Sequence, residues 1–342
     1  MNLQKRINAF VRLGKIFRDA AGAHPGSRQA KRLRSVMEGQ YKLNKWFTPE
    51  NVIRAVAALG SMLQRNKLEK WLAGYSIEND PDRKKIIAVV MAGNMPVVGF
   101  HDLLCVLLSG SILNAKISAR DPELIAQVVT LLQETDPGFR EQVILSKDNL
   151  KGFDAVIATG SNNTSRYFEY CYGRYPHIFR RNRNSVAVLD NSVSESDLAL
   201  LGEDVFSYFG LGCRNVSKLL VSKDFDAMIL ASAWDSWKGQ ANHTAYANNL
   251  NHSRALYLIN KEPFMDFSHF LLKESASISS PVGVLHYQSF GNDKELEEIL
   301  ESHHDQIQII VGKKHKKFGS SQYPEPWEYP DNRDTLQFLT AL

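Results

Sequence analysis

From residue 84 onward the chain alternates short apolar β-type runs with helical stretches, and this alternation restricts the fold more than any other feature. Strands are expected at 85–92 (KIIAVVMA), 112–118, 142–145, 154–158, 185–189, 216–221, 256–259, 282–287 and 308–311. Helices are expected at 97–108, after Asp121-Pro122-Glu123 (Asp121 as N-cap), at 164–172, after Ser194-x-x-Asp197, and at 224–237, 263–272 and 293–303. Strands separated by helices predict an α/β fold with a mostly parallel sheet. Residues 1–80 read instead as helices. In the first, Leu3, Ile7, Phe10, Val11 and Phe17 make an apolar stripe among Lys5, Arg6, Arg12 and Lys15. Such a helix suits a membrane surface, but docking on its own domain or a sister subunit is the favoured expectation.

The chain's 342 residues suggest two domains, with one large domain as the alternative. A net charge of +4, with no basic face interleaved with aromatics, speaks against nucleic acid as a partner. Cys105, Cys171 and Cys213 form neither a CxxC nor a zinc spacing, so a reduced, cytoplasmic setting is expected. No apolar run approaches the roughly 18 residues of a transmembrane segment, and the N-terminal stretch lacks the continuous apolar core of a secretory signal.

Three turns attract chemistry. In Phe209-Gly210-Leu211-Gly212-Cys213-Arg214-Asn215, two glycines precede a thiol between an apolar helix and a new strand. That setting gives a nucleophile exposure without mobility, and Arg214 beside it favours the thiolate. A buried, inert cysteine is the plain alternative. Gly93-Asn94-Met95-Pro96 and Gly160-Ser161-Asn162-Asn163 are strand–turn–helix junctions, where helix N-termini receive phosphate. Neither matches a dinucleotide or P-loop fingerprint. His177, His243 and His286 read as structural or surface residues, and Cys105 and Cys171 as packing. Arg180, Arg181 and Arg183 are balanced between phosphate contact and plain surface.

Taken in order, GNMP at 93–96, NAKIS at 114–118, ATGS at 158–161, NRNSVAVL at 182–189, FGLGCRNVSK at 209–218 and SSPVGVL at 279–285 resemble the aldehyde dehydrogenase superfamily. Within it, the stretch from YPHIFRRNRNSVAVL to FSYFGLGCRNVSK is similar to the LuxC-type acyl-CoA reductases. The resemblance covers roughly residues 60–342. It implies an aldehyde-dehydrogenase-like α/β fold: a Rossmann-type dinucleotide domain with the N-terminal helices (1–208), an α/β catalytic domain bearing the thiol (209–312), and a tail (313–342) for docking or oligomer contacts. It also implies an enzyme that reduces a long-chain fatty acyl-CoA, or acyl-carrier-protein, thioester to the aldehyde with NADPH.

By the same resemblance Cys213 is the nucleophile that takes the acyl group. Asn94 and the Cys213 amide stabilise the oxyanion, where one such donor is worth about 3 kcal/mol. Lys116 reaches the adenosine ribose, and Gly160 and Ser161 receive the pyrophosphate. Ser118 and Arg120 stand where many relatives carry a ribose-binding glutamate. Loss of that carboxylate and gain of an arginine favour NADPH, with NADH as the other possibility. The segment 179–184 lacks the glutamate that activates water in hydrolytic members, which fits reduction better than oxidation. Ser277–Pro281 replaces a motif that holds the nicotinamide ribose in relatives and also lacks a carboxylate. Two alternatives stay open: a non-catalytic acyl- or nucleotide-binding scaffold, and an aldehyde oxidiser. No metal is implied, and a homo-oligomer is expected by analogy.

Overall fold

The apolar runs become strands of two separate sheets in the computed structural model, which describes residues 1–77, 84–146, 150–160 and 162–342. The chain divides into two compact units, Met1–Asn182 with Tyr323–Leu342, and Arg183–Gln322.

The first unit holds β1 (Ile86–Val90), β2 (Ile112–Lys116), β3 (Val143–Ser146), β4 (Ala155–Thr159) and β5 (His177–Arg180), in the order β3-β2-β1-β4-β5 and all parallel. The chain steps outward from β1 to β3 and then returns to β4. The carboxyl ends of β1 and β4 therefore flank the point where strand order reverses, which is where open α/β sheets bind ligands. Gly93 follows β1 and Gly160 follows β4. Between the strands lie α5 (Phe100–Ser109), buried along its length from Phe100 to Leu108, α6 (Leu124–Thr135) and α7 (Asn162–Tyr172). The N-terminal helices are α1 (Leu3–Ala21), α2 (Arg28–Leu43), α3 (Pro49–Met62) and α4 (Arg65–Leu72). In α1, Ile7, Phe10, Leu13 and Phe17 are buried against its own unit, and even Arg6 is fully buried, donating to the Leu108 carbonyl at 2.6 Å. Docking, rather than a membrane surface, takes up this stripe.

The second unit holds β6 (Asn184–Leu189), β7 (Val216–Ser222), β8 (Met265–Asp266), β9 (Leu271–Glu274), β10 (Val284–Phe290) and β11 (Ile307–Val311). Their order is β11-β6-β7-β10-β9-β8, parallel except for the β8–β9 pair. Its helices are α8 (Glu195–Phe206), α9 (Ile229–Ala233), α10 (Thr244–Asn260) and α11 (Asp293–Ser302); α12 (Thr335–Thr340) lies in the C-terminal segment of the first unit. The expected Ser194–Asp197 capping box forms in both directions at the start of α8.

Four local expectations fail. Residues 256–259 belong to α10, because Tyr246, Leu250, Ser253 and Tyr257 bury at helical spacing while Leu256, Leu258 and Ile259 stay exposed. The span 263–272 is no helix: Leu271 and Leu272 pair in β9 beside β10. The helix at 224–237 shrinks to α9 followed by a 3-10 stretch, Asp235–Asn242, as the buried Trp234 turns back to donate to the Leu198 carbonyl at 2.7 Å. Asp121 does not take the N-cap position of α6, which falls to Glu123; its carboxylate accepts the Val97 amide as well as that of Leu124, the first residue of α6. Strand β5, which no alternating pattern announces, was not anticipated.

Candidate active site

The thiol turn grows from the end of α8. After Phe206 and Ser207 the backbone enters the left-handed region at Tyr208 (φ 53), Phe209 (φ 59) and Gly210 (φ 75). Only glycine adopts that region freely; the two aromatic residues cost about 1–2 kcal/mol each there. Packing holds them. Tyr208 and Phe209 are buried, and Phe209 lies against the His243 ring at 4.4 Å between centroids. His243 in turn caps α10, its Nδ1 accepting the Tyr246 amide. Cys213 is half-buried and not in a disulfide, and its carbonyl accepts the Ser185 hydroxyl at 2.9 Å. Asn215, just beyond, is buried and hydrogen-bonded back to the end of α8 and to Gly212.

Beside the thiol turn, β7 carries Lys218, fully buried, whose Nζ donates to the Ala276 carbonyl at 2.7 Å and to Gln288 Oε1 at 2.6 Å. Burial among neutral acceptors lowers its pKa to about 8. His286 on β10 pairs with it in register, donates from Nδ1 to the Ser277 carbonyl at 3.1 Å, and is also held below its ordinary pKa by burial. This pair anchors residues 276 and 277, and the Ser217 hydroxyl holds the Ile278 carbonyl at 2.7 Å. The available signal was a lysine inside the apolar strand VSKLLV.

In the first unit, the turn after β1 closes against the loop after β2. The Met91 amide donates to the Lys116 carbonyl at 3.1 Å. A Cβ on Gly93 would stand 2.3 Å from Ser118 Oγ and 3.0 Å from Arg120 Cβ, so only glycine fits this approach. Ser118 Oγ accepts the Arg120 amide, and Asn44 donates to the Arg120 carbonyl. Asn94 is exposed at the tip of its turn, Lys116 is half-buried, and the Arg120 side chain is exposed. Asp121, 2% exposed, accepts the Val97 amide at 2.8 Å, and burial pushes its pKa up to about 6. Val97 sits at φ 51, a strained conformation for a β-branched residue.

Gly93, Asn94, Lys116, Ser118 and Arg120 thus gather at the ends of β1 and β2. Gly160 sits at the adjoining end of β4, packed on Thr164 and Phe168 in α7. Ser161 lies outside the described residues. Cys213 belongs to the second unit. The three arginines divide. Arg180 is buried in an ion pair with Asp102 (2.6 Å), and Arg183 donates to the Ile307 carbonyl, while the Arg181 amide donates to Asp331. Arg180 is therefore not placed for a phosphate. Among the described residues no group of three or more His, Cys, Asp and Glu is arranged for a metal ion, and no helix is long and apolar enough to cross a membrane.

No family model matches the chain, and no curated protein matches it in sequence. Solved structures do match in shape. The indole-3-acetaldehyde dehydrogenase AldA of P. syringae, in complex with NAD+ and IAA, is 13% identical over 91% of this chain and 72% of its own, with a TM-score of 0.65. The aldehyde dehydrogenase KauB from Pseudomonas aeruginosa is 12% identical over 91% and 72%, with a TM-score of 0.63. An acetylating aldehyde dehydrogenase from Geobacillus thermoglucosidasius is 10% identical over 94% and 78%, with a TM-score of 0.59. At these identities the likeness speaks for architecture, and the chain has the aldehyde-dehydrogenase-like α/β fold.

Proposed function

We propose that the protein is a nicotinamide-dependent oxidoreductase that reduces a fatty acyl thioester to the aldehyde through an acyl group held on Cys213. One observation carries the reading: a half-exposed thiol on a rigid, strained turn in a chain of aldehyde-dehydrogenase-like fold. Turns that hold a nucleophile need such over-determined backbone.

The Cys213 thiolate attacks the acyl carbonyl carbon, and the carbon–sulfur bond to CoA or a carrier protein breaks, releasing that thiol after protonation. The Cys213 amide receives the oxyanion, and Asn94 is the second donor the resemblance assigns. When the acyl carbon leaves as aldehyde, its bond to the Cys213 sulfur breaks and the thiolate returns. A bound dinucleotide supplies the hydride. Residues of the first unit fit such a group: the β1 and β4 ends adjoin at the sheet's switch point, Gly93 lets Ser118 and Gly160 lets Thr164 approach its turn closely, and α7 begins at Asn162, two residues after Gly160. Lys116 and Ser118 would face the adenosine ribose. The exposed Arg120, with Ala119 in place of a carboxylate, favours the 2′-phosphate of NADPH over NADH.

The two carboxylates near 179–184 are already engaged. Asp102 pairs with Arg180, and Asp331 accepts the Arg181 amide. The segment 179–184 itself carries no carboxylate, which supports thioester reduction over aldehyde oxidation. The test follows absorbance at the reduced nicotinamide band on adding tetradecanoyl-CoA, with NADPH and NADH in parallel, for wild type and Cys213→Ser. Oxidation by the wild type alone, with an acylated Cys213 trapped when dinucleotide is omitted, supports the reading. Failure with CoA and carrier-protein thioesters alike would turn it toward the scaffold.

A further inference from the structure

We propose that Asn215 is a positioning residue for Cys213: its side-chain amide fixes the turn that presents the thiol, and thereby the rate at which the sulfur meets an acyl carbonyl. The proposal rests on the reading of Cys213 as nucleophile.

Asn215 is 1% exposed. Its Nδ2 lies 3.1 Å from the Asp204 carbonyl, 3.3 Å from that of Val205 and 2.8 Å from that of Ser207. The last carbonyls of a helix lack intrahelical donors, so this one amide closes the end of α8. Its Oδ1 accepts the Gly212 amide at 2.9 Å, and its own backbone amide donates to the Gly212 carbonyl at 3.0 Å. Its carbonyl accepts the Ser185 amide at 3.1 Å, and the Ser185 hydroxyl reaches back to the Cys213 carbonyl.

The Asn215 side chain therefore ties both ends of the 204–215 loop to each other, and its backbone carbonyl ties the loop to β6. The loop contains the left-handed Tyr208-Phe209-Gly210 stretch and then the thiol. A backbone so far from its resting conformation persists only where its surroundings over-determine it. The geometry also commits the Gly212 amide to Asn215, so that amide is not a donor for an oxyanion.

The residue type follows from the partners. Two N–H groups for three carbonyls and an oxygen for an amide describe a primary carboxamide. Aspartate has no donor and would face three carbonyl oxygens with negative charge. Serine supplies one donor and is too short to span both sides. Glutamine keeps both functions but adds a methylene to a filled site.

The test uses the full chain with Asn215→Ser and Asn215→Gln. Val221→Ala, a truncation at the end of β7, serves as a control for general loss of stability in the same unit. Thermal midpoints, alkylation of Cys213 by iodoacetamide from pH 6 to 9, and acylation of Cys213 by tetradecanoyl-CoA without dinucleotide are measured together. Asn215→Ser is expected to acylate at least tenfold more slowly than wild type, with Asn215→Gln between them and Val221→Ala within twofold of wild type at a similar midpoint. Asn215→Ser acylating as fast as Val221→Ala overturns the proposal. If the wild type alkylates but never acylates, the nucleophile reading falls, and the alkylation rates decide Asn215. A tenfold gap between Asn215→Ser and Val221→Ala keeps its role in setting the turn; equal rates remove it.

Discussion

Breaking the Arg180–Asp102 pair should loosen the C-terminal segment rather than weaken nucleotide binding. The two side chains are 3% and 6% exposed, and Arg180 Nη2 stands 2.6 Å from Asp102 Oδ1. The same guanidinium donates to the Pro330 carbonyl at 2.7 Å and to Thr335 Oγ1 at 2.8 Å. One arginine at the end of β5 thus joins α5 to the segment that carries α12. Removing one partner of a buried pair strands the other charge and costs about 3–5 kcal/mol. Asp102→Asn and Arg180→Met should each lose that much, a large share of the roughly 5–15 kcal/mol that holds an average domain. The double variant Asp102→Leu/Arg180→Met removes both charges together. What remains is the cost of leaving Pro330 and Thr335 without their donor, about 1–3 kcal/mol, so the double variant should be more stable than either single one. Urea unfolding gives the free energies, and hydrogen exchange across 326–340 reports the segment directly, with exchange fastest in the single variants. Additive losses in the double variant would refute the reasoning. So would an Arg180→Met protein of normal stability whose dinucleotide affinity alone had fallen, because that would return Arg180 to a phosphate.

Two further predictions concern the Gly93 turn. Gly93→Ala places a methyl 2.3 Å from Ser118 Oγ and 2.6 Å from Ser118 Cβ, so the 118–120 loop must shift. Dinucleotide affinity, read by fluorescence titration, should fall about tenfold, and Ser118→Gly added to it should recover part of the loss; unchanged affinity in the single variant would remove this loop from the cofactor site. Asp121, raised by burial to about 6 from 3.8, contributes stability that is full below about pH 4 and is lost as pH rises through 6. Asp121→Asn keeps an acceptor for Val97 without the charge, so its stability relative to wild type should climb between pH 4 and 7 by up to about 3 kcal/mol. A difference in urea midpoint that stays flat over that range would contradict the assignment.

The strands legible in the sequence are those whose burial is uniform. Ile87, Ala88 and Val89 are buried on both faces of β1, and such runs announce themselves by composition alone. The Ser194–Asp197 box was legible because both of its partners lie within one turn of helix. Where the reading failed, the deciding contact lay elsewhere in the chain. Leu256-Tyr257-Leu258-Ile259 looks like a strand, but only Tyr257 of the four is buried, on a helix set by Tyr246 and Leu250. Arg180 looked as exposed as Arg181, because nothing local shows that Asp102, 78 residues earlier, meets it. The order of the motifs pointed to the thiol turn and the glycine turns. The roles of Asn215 and Asp121 were not legible, because each acts through backbone groups whose positions follow from unusual φ angles rather than from residue type.

Both turns are held by buried polar side chains, and the choice of side chain matches the load. The Gly93 turn is short and is pinned on one side by close approach to Ser118, and the Asp121 carboxylate accepts the Val97 amide on the other; a carboxylate serves there, at the cost of burying a charge above pH 6. The thiol turn closes a twelve-residue loop and must satisfy helix-end carbonyls and an amide at once. A carboxylate would fail, since it brings no donor and would turn negative charge toward three carbonyl oxygens. A neutral carboxamide does both tasks. The Cys213 turn is therefore held by a side chain that does not titrate, whereas the Gly93 turn leans on Asp121, which ionises as pH rises through about 6.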